Sequence, residues 1–203
     1  MDVIRPSIPL AFTALLAFVI TFSAGLHAQA VNPAQAVNPD AAAVKAFGER
    51  VKAYVDLRHG VAQRLVHPAM PATAAEIERF KRQLAQGIQD ERRSAKEGDI
   101  FTANIAPQFR EIIRTDLKSR DIQAALAAVA EVSPRLALYV NEPWPRDLPR
   151  ATVPPRLLAS LYSLPEGVEY RFLSRHLVLL DSDADLIIDL VRNVIPSSVR
   201  REP

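Results

Sequence analysis

No cysteine occurs anywhere in this chain of 203 residues. Disulfide bridges, thiolate metal sites, a cysteine nucleophile and an acylated cysteine at a processed terminus are therefore excluded, and the fold must hold by packing. Glycine is scarce, with six residues in all. None of them forms a Gly-x-Gly or Gly-x-x-x-x-Gly-Lys pattern, so no phosphate-cradling loop is expected. Charge of one sign is missing too: 25 Lys and Arg against 23 Asp and Glu leave a formal net charge of +2. A nucleic-acid binder would carry a larger basic surplus gathered on one face, so no nucleic-acid partner is expected. Long apolar runs are absent with a single exception, and that exception sits at the start.

Ile8 to Phe22 is almost wholly apolar, follows a short stretch carrying Arg5, and is followed by Ala28-Gln29-Ala30, small residues at the positions a signal peptidase reads. At about fifteen residues the run is short of the roughly 20 that span a hydrocarbon core. Residues 1–30 read as a cleaved signal peptide, which places the mature protein in the periplasm or outside the cell, with the membrane met only in transit. Gln29-Ala-Val-Asn-Pro33 recurs as Gln35-Ala-Val-Asn-Pro39, so Ala34-Gln35-Ala36 offers a second cleavage point. Residues 31–40 read as a flexible leader, because a duplicated Ala- and Pro-rich pentamer has no apolar face to bury. About 170 residues remain, enough for one self-sufficient domain.

Helical periodicity dominates residues 41–132. Val44, Phe47, Val51, Tyr54, Val61 and Leu65 step by three and four, interrupted by Arg58, and predict a long first helix capped by Asp40 and stopped at His67-Pro68. Thr73 and Glu76 predict a capping box for a second helix with Ile77, Phe80, Leu84 and Ile88 on one face, and Gly98 suits its C-terminal stop. Arg79, Lys81, Arg82, Asp90, Glu91, Arg92 and Arg93 make its solvated side, and the basic residues of Glu91 to Lys96 suit a helix end. Ile105, Phe109, Ile112, Ile113 and Leu117 predict a third helix, and Asp121 opens a short fourth one ending before Ser133-Pro134.

Residues 133–166 hold seven of the 16 prolines and read as a strap laid over the helices, anchored by Trp144, the only tryptophan. Pro154-Pro155 can start a brief helix through Leu157, Leu158 and Leu161. In 167–196 the period changes to two: Val168, Tyr170 and Phe172, then His176 to Leu180, predict a β-hairpin. Leu186 to Asp189 adds a third strand after the turn Asp181 to Asp185, and Leu190 to Ile195 is expected to finish as a helical turn.

Two resemblances rest on these residues. Phe47-x-x-Arg50-Val51-x-x-Tyr54-x-x-Leu57-Arg58, Gly98-Asp-Ile-Phe101 and Tyr170-Arg-Phe172 in this order resemble a group of uncharacterised exported bacterial proteins. The resemblance covers most of the mature chain and implies a compartment without an activity. Leu164-Pro-Glu-Gly-Val-Glu-Tyr-Arg-Phe172 with Leu177 to Asp181 and Leu186 to Asp189 is similar to small periplasmic proteins of nickel and cobalt homeostasis. That similarity spans the meander only and implies a metal-linked accessory role.

The chemistry-bearing residues are few. Asp181, Asp183 and Asp185 occupy the first three ligand positions of a calcium loop, but Leu186 stands where Gly is needed and Arg192 where a bidentate Glu is needed. A tight acidic turn explains them more simply, and no metal or other cofactor is assigned. His59, His67 and His176 share no metal-ligand spacing, and no Gly-x-Ser-x-Gly elbow supplies a nucleophile. Glu169 and Asp189 are the carboxylates that could meet across the sheet. Trp144, Tyr170, Arg171 and His176 make the candidate binding surface, and convergence of Arg50, Arg58, Asp99, Arg171 and Asp189 would mark a site.

These readings add up to an α+β domain, mainly α: about four helices in a hairpin-based bundle, a Pro-rich strap and a small antiparallel β-meander. With no catalytic residues identified, the expected function is a non-catalytic exported interaction or scaffold protein, acting on an envelope partner or by self-association. A ligand- or metal-binding accessory protein is the second expectation and a hydrolase the third.

Overall fold

The computed structural model describes residues 38–118, 137–148 and 150–196. The fold is α+β and mainly helical, with four helices and an antiparallel meander among these residues: α1 Pro39–Ala62, α2 Ala74–Glu91, α3 Ala106–Asp116 and α4 Pro155–Ser160, with strands β1 Ala151–Thr152, β2 Val168–Leu173, β3 His176–Asp181 and β4 Leu186–Val191. Neighbouring strands run in chain order, β1-β2-β3-β4. The helix expected from Asp121 lies outside the described residues.

Helix α1 starts earlier than expected. Asn38 is its N-cap, accepting the Asp40 N–H at 3.0 Å, with a proline in the first turn where its missing N–H costs nothing. It ends at Ala62, five residues before His67. The capping box on α2 forms as expected: Thr73 Oγ1 accepts from Glu76 N, while the Glu76 carboxylate accepts from Thr73 N at 2.8 Å. Gly98 does not stop α2. The helix ends at Glu91, and Gly98 lies in the following loop with φ +87°. The interruption in between is Arg92, which turns inward rather than joining the solvated face. The α1–α2 hairpin packs closely at Gly87, where an added Cβ would collide with Val61.

Both faces of the sheet are covered, so its residues do not alternate cleanly between apolar and polar. On one face Val168, Tyr170, Phe172, Leu177, Leu179 and Ile188 join Phe47, Val51, Tyr54, Ile88, Phe109 and Ile113 in the main core. On the other, Leu173, Val178, Leu180, Ile187 and Leu190 pack under Leu138 and Trp144 of the strap. Phe47, Phe101, Phe109 and Tyr162 form a ring cluster at centroid spacings of 4.9–6.2 Å.

The expected helical turn from Leu190 is not there, because β4 continues to Val191, with Val178 opposite Leu190 and Leu177 opposite Val191. A bulge makes this possible. Leu179 faces Asp189 and Leu180 faces Ile187, leaving Ile188 as an extra residue. A bulge re-phases a strand, so Ile188 and Asp189 both address the helical side.

Candidate functional site

Ionisable groups enter the core in two places. Asp181 at the end of β3 is fully buried; its Oδ2 accepts from Tyr54 Oη at 2.6 Å, and its Oδ1 accepts from Asp183 N at 2.8 Å and Ala184 N at 2.9 Å. Arg58, also buried, lies 3.6 Å from Asp181 and 3.0 Å from Asp183 and donates to the Glu166 carbonyl at 3.0 Å. Tyr54 and Arg58 are one helical turn apart on α1, so the charge that interrupts the apolar stripe is the sheet's ion-pair partner. Gly167 makes room for it: φ is +76°, and a Cβ there would strike Arg58 and Asp183. Burial, then Asp181, pushes the Tyr54 phenol far above its ordinary acidity range.

Asp189 organises the second place. It is fully buried, and its carboxylate accepts from Gly98 N at 2.9 Å, Leu190 N at 2.8 Å, and Ile100 N and Phe101 N at 2.7 Å each. Burial raises its pKa, against the pull of these four donors. Arg50 secures the same loop by donating to the Asp99 carbonyl at 2.9 Å. Arg92 bridges the two places: its guanidinium lies 5.0 Å from the Tyr54 ring centroid and donates to the Ile188 carbonyl at 3.1 Å, and burial lowers its pKa.

The five residues whose convergence would mark a site therefore divide. Arg50, Asp99 and Asp189 tie one loop, Arg58 binds the Asp181 turn, and Arg171 pairs with Glu169 through Nε at 3.0 Å and Nη2 at 2.6 Å. Glu169 and Asp189 do not pair, since each carboxylate has other partners. The three turn aspartates also separate: Asp181 faces Tyr54 and the turn, Asp183 faces Arg58, and Asp185 faces Arg150. Among the described residues no group of three or more His, Asp or Glu is placed to hold a metal ion. Such arrangements bond and brace; they do not pair a nucleophile with a base.

A concavity lies elsewhere. A cleft of about 700 Å³ opens between α4 with the segment after it and the outer edge of β2, walled by Val153, Pro155, Leu158 and Leu161. On its strand side it touches Val168, Glu169, Tyr170 and Arg171 in succession. Because successive strand residues point to opposite faces, contact with four in a row means the cleft runs along an edge. Among the described residues β1 covers Arg171 and Phe172 of that edge and Val168 to Tyr170 have no strand neighbour on this side, Val168 N donating to the Pro165 carbonyl at 3.2 Å.

Of the candidate binding residues, Tyr170 and Arg171 meet at this cleft, while Trp144 and His176 do not line it. Trp144 is buried under the strap, its Nε1 donating to the Leu148 carbonyl at 3.3 Å. His176 is half-buried at the hairpin end, where its Nδ1 accepts from Asn193 N at 3.0 Å. Tyr170 is itself buried and donates to the Tyr162 carbonyl at 2.9 Å, so it contributes a wall rather than a free hydroxyl. Leu158 is the contributor that sequence reasoning missed, while Glu169, expected to meet Asp189 across the sheet, lines the cleft instead. Leu158 is 48% exposed although Leu157 and Leu161 are buried, and no local signal distinguishes it from Leu157.

Comparison with known proteins adds no analogue: no family model, curated protein or solved structure matches the chain.

Proposed function

We propose that this chain is an exported, non-catalytic interaction module that holds an extended segment of an envelope partner along the β2 edge. The observation that carries this reading is the cleft touching four consecutive strand residues beside an uncovered stretch of sheet edge. Strand addition at such an edge draws affinity from main-chain hydrogen bonds and selectivity from flanking pockets. An apolar wall with the Glu169–Arg171 pair at its side suits a segment that alternates apolar and polar residues. The engagement of the buried carboxylates in structural bonds weighs against a hydrolase.

Export is supported by the Ile8 to Phe22 run and the Ala-x-Ala sites, and by the resemblance to exported bacterial proteins. Cell fractionation with mass spectrometry of the mature terminus tests it: a start at Val31 or Val37 is expected, and an intact Met1 in the cytoplasm would end it. Binding is tested by selecting from a random-peptide library on the immobilised chain. Enriched peptides with an alternating pattern that lose affinity for Leu158→Glu are expected, whereas a library yielding no binder, or binders indifferent to that change, would retire the reading.

A further inference from the structure

The apolar stripe of α2 outruns the core. Ile88 and Leu84 are buried, Phe80 is partly buried, and Ile77 is 42% exposed, so the stripe is progressively uncovered toward the α1–α2 loop. Here lies a groove of about 310 Å³ lined by Ala62, Ile77, Phe80 and Leu84, with His67 packed on Phe80 at 4.9 Å. Beyond it the loop presents Val66 and Met70, 89% and 88% exposed, well above the other exposed large apolar side chains. From Leu65 to Ala75 there is no Asp, Glu, Lys or Arg.

We propose that this loop is a membrane-contact tip that seats Val66 and Met70 in the interfacial layer of an anionic bilayer. The protruding shape favours a bilayer over a protein pocket, since almost nothing of the chain flanks the two side chains. The charges behind the tip select anionic lipid. Arg79, Lys81 and Arg82 are free of ion pairs among the described residues, Lys81 standing on the groove wall, and Arg64 is paired with Glu91. Of the acids nearby, Glu76 is turned into the helix cap, Asp183 on the groove wall is paired with Arg58, and Glu78 faces outward without an ion pair among the described residues. No described helix is long and apolar enough to cross a membrane, and contact through a loop tip combines buried apolar area with attraction to anionic headgroups.

The absence of native cysteine gives a direct test on the full chain. Met70→Cys carries an environment-sensitive fluorophore, and Lys45→Cys carries the same label as a control, being exposed on α1 about 25 Å of helix away from the loop. With phosphatidylglycerol-containing vesicles the label at position 70 is expected to shift to the blue and brighten severalfold, the one at 45 to stay in water, and Val66→Asp to abolish the shift at 70. Pure phosphatidylcholine is expected to give no shift. No shift at 70, an equal shift with phosphatidylcholine, or a vesicle-free shift that grows with protein concentration would overturn the proposal, the last by assigning the tip to a second copy. Because the label reports position 70 alone, attachment through the apolar N-terminal run cannot mimic the expected result.

Discussion

The two edges of the sheet are treated very differently. Along β4 the strap supplies main-chain partners: Asn141 N donates to Ile187 O at 2.8 Å, Ile187 N to Glu142 O at 2.9 Å, and Trp144 N to Asp185 O at 2.9 Å. Arg92 closes the next position by donating to the Ile188 carbonyl. Edges left bare invite pairing with other chains, and this one is sealed by a strap, a guanidinium and a bulge. Along β2, among the described residues, a strand covers only two positions and a cleft follows Val168 to Tyr170. This difference is what supports the proposed binding along the β2 side.

If the β4 side is structural, its losses should appear as stability. Trp144→Ala removes the fully buried anchor of the strap-side core and should cost about 4 kcal/mol in urea unfolding. A cost below about 1 kcal/mol would mean that the strap does not seal the edge. Asp189→Ala should follow at about 3 kcal/mol, because three buried N–H donors and the half-buried Gly98 N–H lose their acceptor and the loop after α2 comes free of the sheet. Amide exchange should then speed up at Ile100 and Phe101 before it does elsewhere; unchanged exchange there would break the assignment.

The helices, the capping box and the hairpin were legible because each announces itself locally: a three-and-four apolar step, Thr73 before Glu76, alternation from Val168. What was not legible depends on long-range pairing. Arg58 and Arg92 look like solvent-facing charges until the sheet brings Asp181 and the Ile188 carbonyl beneath them. Asp189 looks like the end of a strand, since no local pattern reveals a bulge that turns it toward a loop some ninety residues earlier. The cleft was half visible: Tyr170 and Arg171 stood out by type, but Leu158 becomes a wall residue only because α4 is placed across from β2.

The centre of the sheet gives a reference between the two edges. Tyr54→Phe removes the hydroxyl from fully buried Asp181 and should cost about 2 kcal/mol whatever happens at either side. If it instead changes peptide affinity while leaving the melting temperature alone, the division between structural core and binding edge fails. A smaller effect comes from His176. Burial, then Arg192 and Arg175, lowers its pKa, and its Nδ1 must be unprotonated to accept from Asn193 N. The unfolded chain therefore takes up the proton first, so this contribution is complete above about pH 6.5 and declines as pH falls toward the lower folded value. His176→Asn should flatten the slope of stability against pH in that window; an unchanged slope would assign the titration to another group.

The smallest effect on folding should accompany the largest on binding. Leu158 is half exposed on the cleft wall, so Leu158→Glu should leave stability within about 0.5 kcal/mol. It should also remove affinity for any segment lying along β2, since the new carboxylate stands in the apolar wall the segment must desolvate. The matching change on the sealed side, Leu138→Glu under the strap, should do the reverse and destabilise without touching affinity directly. Measuring both variants by unfolding and by peptide binding separates the two edges in one experiment. Should Leu158→Glu prove as destabilising as Leu138→Glu, the cleft would be core that merely lacks filling, and the contrast between the edges would carry no functional meaning.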